Sequence, residues 1–153
     1  MAWLDHVRAD PRPWLLADDA PAVRAAALRR LLDVPADAPE VRTARAAAMN
    51  VDPIRSILAA QNPAGWWAKP GPGYSPKYLA TVWQLIFLDQ LEADGAHPQV
   101  ARGCDYVLAW SSCPAGGFGA SGTKEEANPP PSRVIHCLNG NLLRALLGVR
   151  AAR

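Results

Sequence analysis

A short turn sequence that occurs twice constrains the fold of this chain more than any other feature. The segment PAGWW at residues 63–67 recurs as PAGGF at residues 114–118, 51 positions later. Each copy follows a segment whose apolar residues have helical spacing and precedes a second, more apolar segment. Self-similarity at about this period, carried by pairs of helices, is typical of stacked or closed helical arrays. Strand patterns are nearly absent, so we predict an all-α protein built from repeated helix hairpins.

The periodic segments predict six helices after a short start that contains two tryptophans. The predicted ranges are 18–33, 36–49, 53–60, 77–93, 98–111 and 133–148. Proline lies early in the first two helices, at Pro21 and Pro39, where its missing N–H costs nothing. We expect Asp18 or Asp19 to cap the first of these helices and Asp37 to cap the second.

The helices at 77–93 and 133–148 are apolar on nearly all sides, so each is expected to be buried by several neighbours. No later segment covers the far face of the second helix, which is expected to carry Leu142, Leu143, Leu146 and Leu147. Leaving these side chains in water forgoes roughly 1.5–3 kcal/mol each. The chain is therefore expected to self-associate through this face.

Composition narrows the possible partners. The chain is 50% apolar and 20% charged with a formal net charge of +2, and no run of five basic residues occurs, so a nucleic-acid partner is not expected. Three cysteines, an odd number without CxxC spacing, indicate a reducing compartment. The first residues lack an apolar signal region, and the longest apolar stretch, YLATVWQLIFL, is too short to span a membrane. We expect a cytoplasmic protein without a transmembrane segment.

The residues around the first turn resemble a known family motif. Gln61, Gly65 and Trp67, with Leu58 three residues before the glutamine, fit the QW motif of squalene and oxidosqualene cyclases. The same motif, less strictly, marks the subunits of the protein prenyltransferases. The resemblance covers roughly residues 50–150. It implies an α/α toroid, in which concentric inner and outer helices surround an apolar cavity.

The second turn resembles a degenerate copy of that motif. Gly116 and Phe118 take the places of the glycine and the tryptophan, while Ser112 stands where the motif has glutamine. Closing a toroid takes about six hairpins, roughly twice this chain, so we expect an incomplete ring. We divide the chain into helical hairpins at 1–50, which resemble HEAT repeats in composition, and a partial toroid with two repeats at 51–153.

The resemblance also implies a role for the paired tryptophans of the first turn. In the family, the QW glutamine bonds to the exposed end of a neighbouring helix, and the tryptophan ring lies against the amide. Orphan groups at helix ends need partners, and a tryptophan can shield them from water. We therefore interpret Trp67 as a clamp between repeats in preference to a ligand platform, and Trp66 as either packed or exposed.

The function that the resemblance implies is that of a terpene cyclase- or prenyltransferase-like domain that binds an isoprenoid or another apolar small molecule. The DxDD and DCTAE patterns that supply the acid in cyclases do not occur. We therefore assign no catalytic residue and no cofactor, and we leave open whether the chain is an enzyme. The alternative is a helical-repeat scaffold that binds protein. A third alternative is an (α/α)-toroid carbohydrate-active protein with Trp66 and Trp67 as a sugar platform, although no carboxylate pair is evident.

A set of aromatic and polar residues is predicted to line the ligand cavity. Some lie in or beside the proline- and glycine-rich loop at 69–78, which connects two helices. Two asparagines lie in the last predicted helix, where a buried amide must either bond to a neighbouring helix or face a polar part of the cavity. The candidates are Trp66, Tyr74, Lys77, Tyr78, Trp83, His136, Asn139 and Asn141.

Two further groups of residues could carry chemistry. The prenyltransferases bind zinc through Asp, Cys and His, and folding could gather Cys104, Asp105, Cys113, His136 and Cys137. Their spacing matches no compact zinc signature, so no metal is predicted. The second group consists of Asp89, Glu92 and Asp94 near a helix end. We interpret it as a solvated cluster in preference to a general acid.

Overall fold

The computed structural model describes residues 2–120 and 128–151. These residues form seven α-helices and two short 3-10 helices, Ala2–His6 and Pro131–Arg133, and contain no β-strand. The all-α prediction is therefore confirmed. None of the described helices is both long enough and apolar enough to cross a bilayer. The α-helices are α1 Arg12–Leu15, α2 Pro21–Arg30, α3 Pro39–Ala48, α4 Ile54–Ala59, α5 Thr81–Gln90, α6 Pro98–Ser111 and α7 His136–Ala151.

Proline begins both helices of the N-terminal hairpin. Pro21 and Pro39 occupy the first turns of α2 and α3, as predicted, because the fixed φ of proline suits that position. The predicted aspartate caps are wrong. The residues that precede the two helices are Ala20 and Ala38, whose methyl side chains cannot accept a capping hydrogen bond. Asp18 instead accepts a hydrogen bond of 2.6 Å from Arg24, whose guanidinium lies within its reach.

Helix α5 is the central element of the fold. It contacts both α6 and α7, and seven of its ten residues are buried, as its apolar composition predicts. The helix begins at Thr81 rather than at residue 77, because Tyr78 has a φ of 66° and cannot continue a helix. Residues 75–79, among them Leu79, lie on the surface, whereas Ala80, directly before the helix, is buried.

One hydrophobic cluster joins the helices from α4 to α7. It includes Ile54 of α4, Leu85 of α5, Val107 of α6 and Leu142 of α7, all of them almost completely buried. Trp67, in the connection between α4 and α5, belongs to the same cluster. Full burial of such a side chain stabilises the fold by roughly 1.5–3 kcal/mol. This shared core positions the turns that follow α4 and α6.

Helix α7 is buried on one side only. Leu142 and Leu146 pack into the core, whereas Leu143 and Leu147 are 52% and 60% exposed. The expectation that all four leucines lie on an uncovered face is therefore wrong for Leu142 and Leu146. The reason is that α7 lies along α5, and this contact covers the side of α7 that carries them.

Candidate functional site

Side-chain amides hold the first turn to the end of α4 and the start of α6. Gln61 Nε2 donates to the carbonyl of Gln99 at 2.8 Å, and Gln99 Nε2 donates to the carbonyl of Leu58 at 2.8 Å. Carbonyl groups in the last turn of a helix lack partners within the helix. This exchange of hydrogen bonds therefore satisfies the end of α4 and ties it to α6.

Trp67 fills the same junction from the inside. Its side chain is 2% exposed, and its Nε1 donates to the carbonyl of Ile57 at 2.6 Å. Its ring faces Gly103 of α6 so closely that a Cβ there would lie 2.9 Å from ring carbon Cζ3. Trp66 is half-buried. The two rings therefore do not form an open platform, and Trp67 has the geometry of a clamp between α4 and α6.

The second turn repeats the backbone of the first. In the first turn the N–H of Asn62 donates to the carbonyl of Trp66 at 2.9 Å. In the second turn, 51 positions later, the N–H of Cys113 donates to the carbonyl of Gly117 at 2.9 Å. The motif glycines at positions 65 and 116 have φ values of 102° and 103°, which favour glycine. The sequence repeat is thus also a structural repeat.

Each turn is also bonded to a side chain of the helix that follows it. The backbone N–H of Trp67 donates to Thr81 Oγ1 of α5 at 3.1 Å. The N–H of Phe118, in the equivalent position, donates to Asn139 Oδ1 of α7 at 2.7 Å. Asn139 Nδ2 also donates to the carbonyls of Phe118 and Ile135. Among the described residues, the Asn139 amide is thus bonded to the second turn and to the residue before α7, and not to a neighbouring helix.

The two turns differ in what covers them. A Cβ on Gly65 would lie 2.9 Å from the carbonyl oxygen of Arg102 and 3.2 Å from Cβ of Tyr106, because α6 packs on the first turn. A Cβ on Gly116 would meet no heavy atom of the described residues within 4 Å. Within the described part of the chain, no helix takes the position at the second turn that α6 takes at the first.

An exposed stripe of α7 borders the second turn. His136, Gly140, Leu143 and Leu147 are exposed and follow one another at intervals of four, three and four residues. At 3.6 residues per turn these four residues fall within an arc of roughly 60° on α7. This arc lies beside Asn139, which is bonded to the second turn. We name these four residues, together with Gly116, the second-repeat face.

Four of the predicted cavity residues form an aromatic cluster. The ring centroid of Trp83 lies 5.4 Å from that of Tyr74 and 4.9 Å from that of Tyr78. Lys77 Nζ lies 5.2 Å from the centroid of Tyr78 and 5.6 Å from that of Trp83. Trp83 Nε1 donates to the carbonyl of Tyr74 at 2.8 Å. Because Tyr78 and the neighbouring Leu79 are exposed, the cluster presents apolar surface beside a cation.

The other predicted cavity residues lie elsewhere. Trp66 belongs to the first turn, and His136 is exposed at the start of α7. Asn141 is also exposed and donates to the carbonyl of Cys137, one helical turn earlier, at 2.9 Å. The eight candidates are therefore spread over three places, and none of them lines either of the two pockets described below.

The five weak candidates for metal binding do not form a site in the described part of the chain. Cys104 and Cys113 are buried, and Cys137 is exposed. Among the described residues, no group of three His, Cys, Asp or Glu side chains is placed to hold a metal ion.

A charged pocket of about 380 Å³ lies between α2, α3, α5 and α7. We name it the arginine pocket. The acids Asp89 and Glu92 are buried in its wall, so their interpretation as a solvated cluster is wrong. A smaller pocket of about 160 Å³, lined mostly by apolar residues, lies beside α2 and α4. The residues that line the arginine pocket are Arg29, Arg30, Arg45, Asp89, Glu92, Ala93, Arg144, Gly148 and Val149.

Glu92 ties the N-terminal hairpin to the end of α5. Its Oε1 accepts hydrogen bonds from Nε and Nη2 of Arg30 at 3.1 and 2.8 Å, and its Oε2 accepts one from Nη2 of Arg45. Burial by itself would raise the pKa of Glu92, but the bonds from Arg45 and Arg30 outweigh burial and hold the pKa below its usual value. Glu92 also has a φ of 60°, a conformation that costs a non-glycine residue about 1–3 kcal/mol. The two ion pairs offset that cost.

The negative charge of Asp89 is less well compensated than that of Glu92. Arg144 Nη2 lies 2.7 Å from Asp89 Oδ2, but the groups are not aligned as a hydrogen bond, and this oxygen has no hydrogen-bond partner among the described residues. Burial raises the pKa of Asp89, and the attraction of Arg144 and Arg30 offsets burial only in part. A Cβ on Gly148 would lie 1.9 Å from Asp89 Oδ1, so glycine is required for α7 to approach this carboxylate.

Sequence reasoning missed the four arginines of the pocket. They come from three helices, α2, α3 and α7, and the first and last of them are more than a hundred positions apart in the sequence. No local spacing therefore connects them. The one available signal was the pair Arg29 and Arg30 at the end of α2. That pair is equally explained by the favourable interaction of cations with a helix C-terminus.

Comparisons of the chain with family models, with curated proteins and with solved structures give no match. The resemblance to the cyclases and the prenyltransferases therefore rests on the residues of the two turns and of the helices that flank them.

Proposed function

We propose that the chain is a helical-repeat module that packs against the helix of a further repeat through its second-repeat face, in an arrangement of the α/α-toroid type. The observation that carries the proposal is the difference between two turns with the same backbone. Helix α6 covers the first turn, and no described helix covers the second. Exposed leucines on the adjacent side of α7 add apolar surface to the same place.

The first repeat indicates what the partner helix must offer. Helix α6 presents Gly103 to the ring of Trp67 and the amide of Gln99 to the end of α4. A partner for the second turn is therefore an amphipathic helix with a small residue at its crossing point and apolar side chains against Leu143 and Leu147. Burying the exposed part of these two leucines contributes about 1 kcal/mol each.

The α6 segment itself is a probe for this proposal. A fluorescent peptide of residues 97–112 is titrated into the full chain, and binding is followed by anisotropy. We expect saturable binding that the double substitution Leu143→Glu and Leu147→Glu weakens by about tenfold or more. Leu79→Glu is the matched control, because Leu79 is equally exposed but lies outside the second-repeat face. Lack of saturable binding, or an equal loss in the control, would contradict the proposal.

Analytical ultracentrifugation of the chain alone distinguishes the source of the partner helix. If the chain forms a dimer that the double substitution abolishes and Leu79→Glu leaves intact, the partner is a second copy. If the chain is a monomer that binds the peptide, the partner is a helix of another repeat.

A second proposal is that the aromatic cluster binds an isoprenoid or another apolar ligand. The exposure of Tyr78 and Leu79 beside Trp83 supports it, because exposed apolar surface marks ligand and partner sites. Titration with farnesol, followed by tryptophan fluorescence, is the test. We expect a saturable change in emission that Tyr78→Ala weakens and that Leu143→Glu, on the second-repeat face, does not. Emission that stays constant up to the solubility limit of farnesol would exclude this proposal.

A further inference from the structure

The arginine pocket carries more positive charge than its own acids balance. Four guanidinium groups, those of Arg29, Arg30, Arg45 and Arg144, surround a cavity of about 380 Å³ that holds two carboxylates. One carboxylate is paired with two of these arginines, and the other is paired with a third. Four cations against two anions leave an excess of two positive charges at the pocket.

Hydrogen-bond donors are also left over in this place. Arg29 makes no hydrogen bond or ion pair with the described residues. The Nε of Arg45 is buried without a partner, on a side chain that is only 12% exposed. Three arginines already bind the two carboxylates, and Arg29 is not part of these ion pairs. Like charges this close repel one another unless an anion lies between them.

We infer that the arginine pocket binds a phosphate group, either free or as a monoester. A phosphate monoester carries close to two negative charges near neutral pH and offers three acceptor oxygens, which match the excess charge and the unpaired donors. Guanidinium groups bind phosphate through paired N–H donors in a fixed plane. Ala93 and Val149 also line the pocket, so it can accept an apolar substituent of an ester. This inference does not depend on the packing of the second-repeat face.

Calorimetric titration of the full chain tests the inference. Sodium phosphate and phenyl phosphate are titrated separately at about pH 8, and sodium chloride of equal ionic strength controls for charge screening. We expect saturable binding of at least one of the two phosphates and none of chloride. Arg29→Gln is expected to weaken phosphate binding by about tenfold or more. Arg55→Gln, at an exposed arginine of α4 outside the pocket, is expected to leave the affinity within about twofold.

The outcomes separate the sources of the phosphate group. Tighter binding of phenyl phosphate identifies an ester as the ligand, and equal or weaker binding identifies free phosphate. If Arg29→Gln does not fold by circular dichroism, Arg29→Lys replaces it. Because lysine keeps the charge but loses the paired donors, an intermediate affinity is expected. Absence of saturable binding to the unaltered chain, or an unchanged affinity in the folded Arg29 variant, would overturn the inference.

Discussion

Replacing Glu92 by glutamine removes the charge that joins the N-terminal hairpin to α5. Glutamine keeps the size of the side chain but has no negative charge for Arg30 and Arg45 to share. Arg45 is only 12% exposed, so its guanidinium would remain buried without a counter-charge. Leaving one member of a buried ion pair uncompensated is among the larger single-residue effects on stability.

The expected cost of Glu92→Gln is about 3 kcal/mol of unfolding free energy. A hydrogen bond to a charged group contributes roughly 1.5–3 kcal/mol, and the pair with Arg45 belongs in the upper part of that range because both side chains are buried. Arg30 is 49% exposed, so solvent screening reduces its pair to about 0.5–1 kcal/mol. Together, the contributions of the Arg45 and Arg30 pairs lie near the lower end of the range of about 3–5 kcal/mol for breaking a buried ion pair.

The cost of Glu92→Gln also depends on pH in a defined direction. Because the pKa of Glu92 is lower in the folded state than in the unfolded chain, its contribution is fully present above the unfolded pKa. It is lost as the pH falls through the folded pKa. The difference in stability between the unaltered chain and Glu92→Gln is therefore largest at neutral pH and shrinks below about pH 4.

Urea unfolding at neutral and acidic pH measures both the cost of Glu92→Gln and its dependence on pH. Glu40→Gln is the matched control, because Glu40 lies exposed in the first turn of α3, and it is expected to change stability by less than about 0.5 kcal/mol. If Glu92→Gln costs no more than Glu40→Gln, or if its cost persists unchanged at acidic pH, the ion pairs do not stabilise the fold as reasoned.

Three further predictions use the same unfolding assay. Burial raises the pKa of Asp89 in the folded state. The contribution of Asp89 to the free energy of unfolding is therefore fully present below the unfolded pKa and is lost as the pH rises through the folded pKa. Asp89→Asn is therefore expected to be neutral or stabilising at pH 7, and a loss above about 2 kcal/mol would contradict this. Trp67→Ala is expected to cost about 3 kcal/mol or more and Trp66→Ala less; equal, negligible losses would show that neither ring is a clamp. Gly140→Ala is expected to stabilise α7 by about 0.5–1 kcal/mol, because the added Cβ meets open space. Gly103→Ala is expected to cost about 1–3 kcal/mol, because its Cβ clashes with the Trp67 ring. Equal effects of the two substitutions would argue against the close contact between Gly103 and Trp67.

Local signals in the sequence were sufficient for six of the seven α-helices and for the repeat, but they missed the short helix α1 and placed the start of α5 four residues too early. The spacing of apolar residues predicts helices, and Pro21 and Pro39 begin two of them where expected. Gly65 and Gly116 mark the two turns and have the positive φ that such turns require. These features depend on backbone sterics and on neighbours a few residues away, so they can be inferred without knowledge of the fold. The predicted aspartate caps are not formed: Asp18 pairs with Arg24 instead, and Ala38, not Asp37, precedes α3.

By itself, then, the sequence determined that the chain is helical, where its turns lie and that α5 is buried. Only the tertiary structure decided that Leu143 and Leu147 of α7 remain exposed while α5 covers their neighbours. It also decided that four arginines from three helices meet around two buried carboxylates. Helix periodicity records which residues share a face, but it does not record which other helix covers that face. Contacts between distant residues arise from the packing of whole helices and leave no spacing in the sequence from which they could be predicted.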